Sequence, residues 1–547
     1  MKVDLYSDTV ACEFGHILSW LDRNSASGTY GCFDRRYWSW RIGDMPNASL
    51  QYGLYPLSLA WKYSRASAYK KNTNLLEWIE AAIRFTIRIQ NKNGSFDQFF
   101  PKEQSVGTTY YLLSAMINAR ELLADSINAE LLSQFDDTIS LSSDFISKHD
   151  EQYAIISNHI ALFAYVNLKL GRLRNDRGFE SRALEQLKLI FHHQSNEGWF
   201  LEYNGADPGY QTQCIYYLAE CFRITGDERI LDRIRKSIEE FLLYFFHPDG
   251  SFGGVYGSRN TEIIYPAGFE MIRDRIPCCG DISGFIHEGI RKKTIVMPDS
   301  LDDENLIRLS TNYMVAALYA GASKPCKRDK QQMPFEKKVD KCFSEAGLRV
   351  RSNERYYSIV NFRKGGVYKV FDKKKKILIG EDSGYFFATS RGVLTNQMLD
   401  DSETIMDDAG ISLKSFFYRT LDEVPTPLIT VAIRILSLTF FRFLAMVDLF
   451  RLLLVRKAFT GKKKYGICLE RKVSYHDKGI VVKDEIRKDA RMRVDRQLRG
   501  RKAFSVKMAS SNYHVAGDLV EIRQPIVDID RLNAMNHVSM RYEIMVS

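Results

Sequence analysis

Three similar segments decide the fold of the first part of this chain: QNKNGSF at Gln90–Phe96, QSNEGWF at Gln194–Phe200 and HPDGSF at His247–Phe252. Each combines a polar turn with a glycine and an aromatic residue, and each follows a run with helical periodicity. The glycines of the three segments are 104 and 52 residues apart (198 − 94 and 250 − 198). A repeat of this length is typical of stacked helical hairpins, and glycine suits the end of a helix because it tolerates positive φ.

Apolar residues recur at helical spacing from about residue 47 to residue 319, which predicts helices in pairs. The predicted pairs are 48–68 with 74–91, 105–124 with 130–148, 152–170 with 177–194, 210–224 with 228–246, and 261–290 with 303–321. Hairpins in this number curl into a ring. Residues 1–330 are therefore predicted to form an incomplete α/α toroid, with a cleft lined by the repeated aromatic loops.

The pattern changes after residue 330. A basic linker is predicted at 331–345, followed by short runs rich in β-branched and aromatic residues. We expect strands at 356–362, 367–371, 377–379, 385–389, 467–475, 479–484, 504–508, 519–522 and 540–546. Residues 346–547 are predicted to form an antiparallel β-sandwich domain.

An apolar insertion at 425–460 interrupts the predicted sandwich. Within residues 428–459 the charged side chains cover about half of a helix circumference and leave the other half apolar. The longest uncharged stretch, Ile435–Phe441, has seven residues, too few for a transmembrane span. The segment predicts an amphipathic helix on a membrane surface, with packing on the toroid or in a dimer as the alternative.

Composition is that of a soluble globular protein, with 45% hydrophobic and 26% charged residues in 547. The net charge of +10 favours anionic partners. Nine cysteines without regular spacing do not predict a disulfide framework, and the first residues lack the features of a secretory signal. We therefore expect a cytoplasmic protein, peripheral at the inner face of the membrane. No nucleotide-binding glycine motif and no nucleic-acid-binding module is recognisable, so no cofactor and no nucleic acid is expected. The oligomeric state is left open.

Asn158, His159 and Tyr210 are the candidate catalytic residues. An amide can hold a carboxylate, while an imidazole and a phenol can move protons, which together would allow removal of a proton next to a carboxylate. The tyrosine follows the histidine by 51 residues (210 − 159), about one repeat. The predicted toroid thus brings helix ends that carry these groups to one cleft.

This arrangement resembles the heparinase II/III-like and alginate lyase families. Asn158-His159 begins a predicted toroid helix, a glycine-aromatic turn follows, and Tyr210 opens the next helix. Phe343–Val350 and Tyr356–Val360 are similar to the segment with which the β-sandwich of those lyases begins.

The sequence also departs from that pattern. Those lyases carry a His-x-His-x-x-Asp-like segment at the start of the sandwich, where this chain has KGGVYKVFD at Lys364–Asp372. No histidine occurs between His287 and His476. A third histidine and a metal site associated with it are therefore not predicted.

The resemblance implies an enzyme that abstracts the C5 proton of a uronate in an acidic polysaccharide. Asn158 would neutralise the uronate carboxylate, His159 would be a candidate base, and Tyr210 would be the base or the acid that protonates the leaving oxygen. Elimination would make the enzyme a lyase, whereas reprotonation from the other face would make it a C5 epimerase. The expected setting is cell-surface polysaccharide biosynthesis.

Further residues are predicted to bind the acidic glycan because planar cations, aromatic rings and polar groups suit sugar carboxylates. They are Arg35, Arg36, Tyr37, Trp38, Trp199, Glu202, Arg259, Asn260 and Glu262.

Two alternatives remain open. An inverting glycoside hydrolase on an α/α toroid would need two carboxylates separated by a water, and carboxylates on the aromatic loops could supply the pair: Asp97, Glu202, Asp207 and Glu262. The other alternative is a non-catalytic protein that binds glycan or acts as a scaffold in polysaccharide assembly.

Overall fold

The computed structural model describes residues 4–66, 68–151, 154–301, 304–321, 332–400, 403–420, 426–455, 463–500, 503–505, 513–515 and 525–546. The strand predicted at 519–522 lies outside these ranges, as does most of the strand predicted at 504–508.

The first part of the chain is a ring of helices. They are α1 (Leu5–Trp20), α2 (Arg35–Trp38), α3 (Leu54–Tyr63), α4 (Thr73–Ile89), α5 (Val106–Leu123), α6 (Ala129–Lys148), α7 (Ser157–Arg174), α8 (Arg177–His192), α9 (Pro208–Thr225), α10 (Glu228–Lys236), α11 (Ala267–Ile272), α12 (Cys278–Lys292) and α13 (Glu304–Ala320). The inner helices α3, α5, α7, α9, α11 and α13 contact one another in turn, and α13 also packs against α3. Each inner helix has an outer partner, so the predicted α/α toroid is confirmed.

Two helices at the ends of this ring differ from the prediction. The segment expected as one helix at 261–290 is two, α11 and α12, because Pro277 stands at the N-cap of α12 and proline cannot continue a preceding helix. α1 was not predicted. It packs on α13 and supplies the outer partner that the sequence had assigned to the 261–290 segment.

The three repeated turns follow the outer helices α4, α8 and α10 and lead to the inner helices α5, α9 and α11. Gln194 donates from Nε2 to the carbonyl of Gly198 (2.9 Å) and to that of Arg233 on the following outer helix (3.0 Å). Gln90 makes equivalent bonds to Gly94 (3.4 Å) and Thr138 (2.8 Å). The turns before α5 and α9 place the N-terminal ends of these two helices at the same end of the ring. The backbone N–H of Ser157 donates to the carbonyl of Leu201 (3.1 Å), so α7 begins at that end too.

Gly94 shows why the repeat requires glycine. Its φ is +89°, and a Cβ built there would lie 2.1 Å from the carbonyl oxygen of Leu141. We expect Gly94→Ala to lower the free energy of unfolding by about 1–3 kcal/mol or more, because strained backbone and a close contact add. Gly284→Ala, in α12 with nothing within 4 Å of the added atom, is the matched control. It should leave stability unchanged or raise it by up to about 1 kcal/mol. Thermal and denaturant unfolding measure both, and equal stability of the two variants would contradict this reading of the repeat.

The second part of the chain is built from antiparallel strands. They are β1 (Val339–Phe343), β2 (Leu348–Ser352), β3 (Tyr356–Asn361), β4 (Val367–Asp372), β5 (Ile377–Asp382), β6 (Phe386–Thr389), β7 (Gly392–Thr395), β8 (Thr404–Met406), β9 (Gly410–Arg419), β10 (Lys464–His476), β11 (Gly479–Lys488), β12 (Val494–Leu498) and β13 (His537–Met545). In the described part of the chain one sheet has the order β1-β2-β3-β4-β5, and the other has β12-β6-β7-β9-β10-β11-β13 with β8 beside β9. A short helix, α16 (Ile529–Met535), precedes β13.

The smaller sheet lies between the toroid and the larger sheet. Alternation along β3 shows this, since successive side chains of a strand point to opposite faces. Tyr357 and Ile359 belong to the toroid core, whereas Tyr356 and Val360 belong to the core between the sheets. The predicted sandwich is therefore confirmed, but its first strand begins inside the segment 331–345 that was predicted as a linker.

The insertion is two helices and not one. α14 (Pro427–Leu438) and α15 (Leu444–Val455) are separated by a 3₁₀ turn at Phe440–Arg442. The helix breaks because the carbonyl of Phe441 accepts a hydrogen bond from Gln104 Nε2 (2.9 Å), while its ring packs on Phe100 (5.2 Å). Within the described ranges no helix is long and apolar enough to cross a bilayer.

Candidate active site

The N-terminal ends of three inner helices carry the candidate groups. Tyr111 lies near the start of α5, Asn158 and His159 at the start of α7, and Tyr210 in the first turn of α9. Asp207 caps α9 by accepting from the backbone N–H of Tyr210 (3.1 Å) and also accepts from the backbone N–H of Arg259 (2.9 Å). One carboxylate thus fixes the relative positions of Tyr210 and Arg259.

Glu202 lies at the centre of the cluster. Asn158 donates from Nδ2 to both of its carboxylate oxygens (2.8 and 2.9 Å) and from its backbone N–H to Oε1 (3.0 Å). Arg259 forms an ion pair with Oε2 (3.2 Å). Asn158 is fully buried and Glu202 and Arg259 are nearly so, so these three groups form the floor of the site.

Burial controls the charges on this floor. It raises the pKa of the Glu202 carboxyl, although Arg259 and the Asn158 hydrogen bonds oppose the shift. Burial alone would lower the pKa of Arg259, but Tyr210, Tyr203 and Glu202 outweigh it and raise that pKa above its ordinary value. The site therefore contains a permanent guanidinium cation beside a carboxyl group that takes up a proton more easily than usual.

The Arg259 guanidinium lies over the ring of Tyr210. Its Cζ atom is 3.6 Å from the centre of that ring and 5.0 Å from the centre of the Tyr203 ring. Burial raises the pKa of Tyr203 to about 12, against the opposing effect of Arg259. A fixed cation in a water-poor site favours negative charge on groups that face it. Tyr210 is half-buried, so its ring links the buried floor to the more open part of the cleft.

His159 is partly exposed, and the carboxylate of Glu151 orients its imidazole ring. Its Nδ1 lies 2.9 Å from Glu151 Oε2, and its ring meets the edge of Tyr111 at 5.6 Å. A carboxylate that holds one imidazole nitrogen fixes the ring and leaves the other nitrogen for proton transfer. Tyr111 also approaches Asn158 Oδ1 through its hydroxyl (3.5 Å), which joins His159 to the floor.

The structure therefore brings together five of the predicted site residues: Asn158, His159, Glu202, Tyr210 and Arg259. Asn158 lies beneath Glu202 and holds it, which differs from the expected direct contact between Asn158 and a uronate carboxylate.

Three other predicted residues lie at the joint between toroid and sandwich. Trp199 donates from Nε1 to Glu197 (3.0 Å), whose carboxylate also accepts from the backbone N–H of Glu345 (2.9 Å). Asn260 accepts from Lys364 Nζ (2.6 Å). Glu262 forms an ion pair with Lys369 (2.6 Å). These contacts hold the two domains together.

The predicted basic-aromatic segment lies at the surface near α2. Arg35 and Arg36 are exposed, and Tyr37 and Trp38 are half-buried. Trp38 donates from Nε1 to the carbonyl of Trp20 (2.8 Å), which holds the segment against the end of α1. Their role in glycan binding stays a prediction.

Sequence reasoning missed Tyr111, Glu151, Arg308 and Lys364. Tyr111 could have been found, because it precedes His159 by 48 residues (159 − 111), about one repeat. Arg308 lies on α13 with its Cζ 4.2 Å from the Tyr111 ring, and its pKa is raised by Glu304 and nearby phenols despite opposing burial. Arg308 reaches the site because the last inner helix, α13, packs against the first, α3. The spacing of residues along the chain does not predict this contact.

Lys364 lies in the segment that replaces the histidine motif. Its Nζ donates to the carbonyls of Val255 (2.9 Å) and Gly257 (2.6 Å) as well as to Asn260. With Glu202, Tyr203 and Arg259 it lines a pocket of about 40 Å³ between the domains. A space of that size holds a water and not a sugar, so substrate access is expected from the side of His159 and Tyr210.

The carboxylates considered for a hydrolase are each held by other groups. Asp97 accepts from the backbone N–H groups of Lys102 and Gln104, and Asp207 caps α9. Glu202 and Glu262 are paired with Arg259 and Lys369. Among the described residues there is no group of three or more His, Cys, Asp or Glu side chains that could hold a metal ion.

Residues 47–265 match the model of the ulvan lyase N-terminal domain family. The match covers the inner helices α7 and α9, which carry Asn158, His159 and Tyr210, and the loop that carries Arg259. The predicted resemblance to the toroid polysaccharide lyases is confirmed.

Solved structures show the same combination of toroid and sandwich. The chondroitin AC lyase of Streptomyces coelicolor A3, solved with chondroitin sulphate, aligns at a TM-score of 0.56 and 10% identity, over 88% of this chain and 66% of the lyase chain. Heparinase III aligns at a TM-score of 0.50 and 11% identity, over 89% of this chain and 71% of the heparinase. This chain thus spans about two thirds of the length of these lyases. At such identities the likeness concerns the fold.

A family 76 glycoside hydrolase from Bacteroides thetaiotaomicron aligns at a TM-score of 0.40, which carries no argument for the hydrolase alternative. No curated protein matches the sequence.

Proposed function

We propose that the protein is a polysaccharide lyase that cleaves an acidic, uronate-containing glycan by β-elimination. The observation that carries the proposal is the cluster in which Tyr210 and His159 lie at the floor formed by Asn158, Glu202 and Arg259. It combines a buried cation, a phenol and an oriented imidazole. The match of residues 47–265 to an ulvan lyase domain supports elimination over the epimerase outcome.

In the proposed reaction, Arg259 binds the uronate carboxylate and thereby lowers the cost of negative charge at C5. His159, held by Glu151 at Nδ1, takes the C5 proton through Nε2. The electron pair of the C5–H bond forms the C4=C5 double bond. The C4–O bond breaks, and Tyr210 protonates the leaving oxygen. The products are an unsaturated uronate and a new sugar end.

Glu202 would repel a second carboxylate if it stayed ionised. Because burial already raises its pKa, an incoming uronate is expected to raise it further and to drive proton uptake. The protonated carboxyl can then donate a hydrogen bond to the substrate. Asn158 contributes by fixing Glu202, and so acts as a positioning residue in this proposal.

Turnover of acidic glycans tests the function. The intact protein is incubated with a panel of uronate-containing polysaccharides, with neutral glycans as controls, and ultraviolet absorbance of the C4=C5 double bond is followed. We expect absorbance to rise with one or more acidic glycans, together with a fall in chain length, and no change with neutral ones.

Other outcomes point elsewhere. Deuterium incorporated at C5 in heavy water without chain cleavage would assign epimerisation. Cleavage without new absorbance would assign a hydrolase. Binding without any turnover across the panel would assign the glycan-binding role. The expected cytoplasmic location and the role in cell-surface polysaccharide assembly remain part of the proposal, and fractionation of cells tests the location.

A further inference from the structure

The two helices of the insertion have an apolar face that the fold does not cover. At about 100° per residue, the outward residues of α14 fall within about 80° of arc, and those of α15 within about 120°. With the intervening turn they form the apolar hairpin face: Leu428, Val431, Ile435, Leu438, Phe440, Phe443, Met446, Leu449, Leu452 and Leu453. Leu428 is 82% exposed and Leu438 is 74% exposed.

The opposite faces of the same helices already satisfy packing on the toroid. Phe441 and Val447 are buried against Phe100, with Ile433 and Leu436 beside them. Ion pairs anchor both helices: Arg434 with Asp44 (2.7 Å) on α14, and Arg451 with Glu103 (3.0 Å) on α15. The hairpin is therefore apolar on two sides, and its outward side is not needed to hold it in place.

The anchoring contacts also place other exposed apolar residues beside the hairpin. The pair between Asp44 and Arg434 holds the loop around Asp44 next to α14, and this loop carries Trp40 and Ile42, which are 66% and 77% exposed. Phe100 packs against the hairpin, so its sequence neighbour Phe99, which is 71% exposed, also lies beside it. Exposed apolar side chains grouped in this number mark an interaction site.

The charges at this surface indicate the kind of partner. No charged residue falls within the two outward arcs, whereas Arg442 between the helices and Arg41 beside Trp40 are exposed. Asp448 of α15 is also exposed, but it lies outside the arc and faces Arg451 (3.9 Å). Asp44 is paired with Arg434. Long apolar side chains with exposed arginines beside them and an exposed tryptophan at the edge suit a bilayer interface with anionic headgroups.

We propose that the apolar hairpin face inserts into the interfacial region of an anionic lipid bilayer, with Arg41 and Arg442 at the level of the headgroups. The two helices lie in the plane of the membrane, and neither crosses it. This inference does not depend on the reaction that the toroid catalyses.

Vesicle binding tests the inference. The intact protein is floated with vesicles of phosphatidylcholine alone and with vesicles that contain phosphatidylglycerol. We expect binding that is stronger to the anionic vesicles and that weakens as salt is raised. The double variant Ile435→Glu, Leu449→Glu should lose about tenfold or more of the partitioning, because carboxylates replace side chains that enter the apolar layer. Both sites are exposed, so the fold should be retained.

Matched controls separate this effect from a general loss of apolar surface. Ile405→Glu and Ile377→Glu change exposed isoleucines of the sandwich and should leave vesicle binding unchanged. Arg41→Glu with Arg442→Glu should remove the preference for anionic vesicles. The proposal is overturned if the intact protein binds neither kind of vesicle. It is also overturned if the Ile435→Glu, Leu449→Glu variant instead disrupts a concentration-dependent oligomer, which would make the face an interface between copies of the chain.

Discussion

Tyr210→Phe is expected to reduce kcat on the cleaved glycan by about 10²–10⁴-fold, with little change in KM. The substitution removes the hydroxyl that would protonate the leaving oxygen, but it keeps the ring over which Arg259 lies at 3.6 Å. Asp207 caps α9 by accepting from the backbone N–H of residue 210, so the cap is kept when the hydroxyl is removed. Steady-state kinetics from the absorbance of the unsaturated product measure the effect.

The matched control is Tyr216→Phe on the same helix. Tyr216 lies in the core of the ring, and loss of its hydroxyl should change kcat by a small factor. A second measurement distinguishes the acid role from the base role. A uronide whose leaving oxygen belongs to an acidic phenol needs no proton donor, so the defect of Tyr210→Phe should shrink on that substrate if Tyr210 is the acid. A full-size defect on both substrates would assign Tyr210 as the base, and activity close to wild type on both would exclude Tyr210 from proton transfer.

The repeat explains why this much of the site could be predicted. A turn that recurs about every 52 residues (250 − 198) places successive inner helices at the same end of the ring, so residues one repeat apart, such as His159 and Tyr210, must lie near one another. The same rule would have selected Tyr111. The repeat fixes where a helix begins, and this information is local.

Side-chain direction and ring closure could not be predicted in the same way. Trp199 and Glu202 lie three residues apart on one loop (202 − 199), but Trp199 faces the joint between the domains while Glu202 faces Asn158. Arg308 reaches Tyr111 because α13 packs against α3. That contact joins distant parts of the chain, and no local pattern encodes it.

The insertion shows a different limit. Charge positions predicted one amphipathic helix, but the hydrogen bond from Gln104 to the Phe441 carbonyl divides it into two. The partner that breaks the helix is far away in sequence, 337 residues from Phe441. Composition could therefore predict an apolar surface in this segment but not its shape.

Between pH 7 and pH 10.5 we expect Lys364 to make the protein more stable by about 1.4 kcal/mol per pH unit. Burial without a carboxylate in hydrogen-bond contact lowers the pKa of Lys364 from 10.5 to about 7, with Asp207 opposing the shift. Within this window the unfolded chain holds a proton on Lys364 that the folded chain has lost, so stability rises with pH. Below pH 7 both states are protonated, and the dependence disappears.

Lys369 is the matched control because it is as buried as Lys364 but forms ion pairs with carboxylates. It pairs with Glu262 (2.6 Å) and Glu381 (3.5 Å), whose charges outweigh burial and raise its pKa. Its contribution is present throughout the window and is lost only above pH 10.5. Lys369→Met should therefore differ from wild type by a constant amount between pH 7 and pH 10.5.

Denaturant unfolding at a series of pH values measures both effects. The difference in stability between wild type and Lys364→Met should change with the stated slope, because other titrating groups cancel in the comparison. Loss of the hydrogen bonds to Val255 and Gly257 shifts this stability difference by the same amount at every pH and does not change its slope. A parallel pair of curves would mean that Lys364 keeps its proton in the folded state, where its three acceptors would then outweigh burial. Those acceptors belong to the loop that holds Arg259. The measurement therefore determines whether Lys364, next to the floor of the site, is neutral or positively charged in the folded protein.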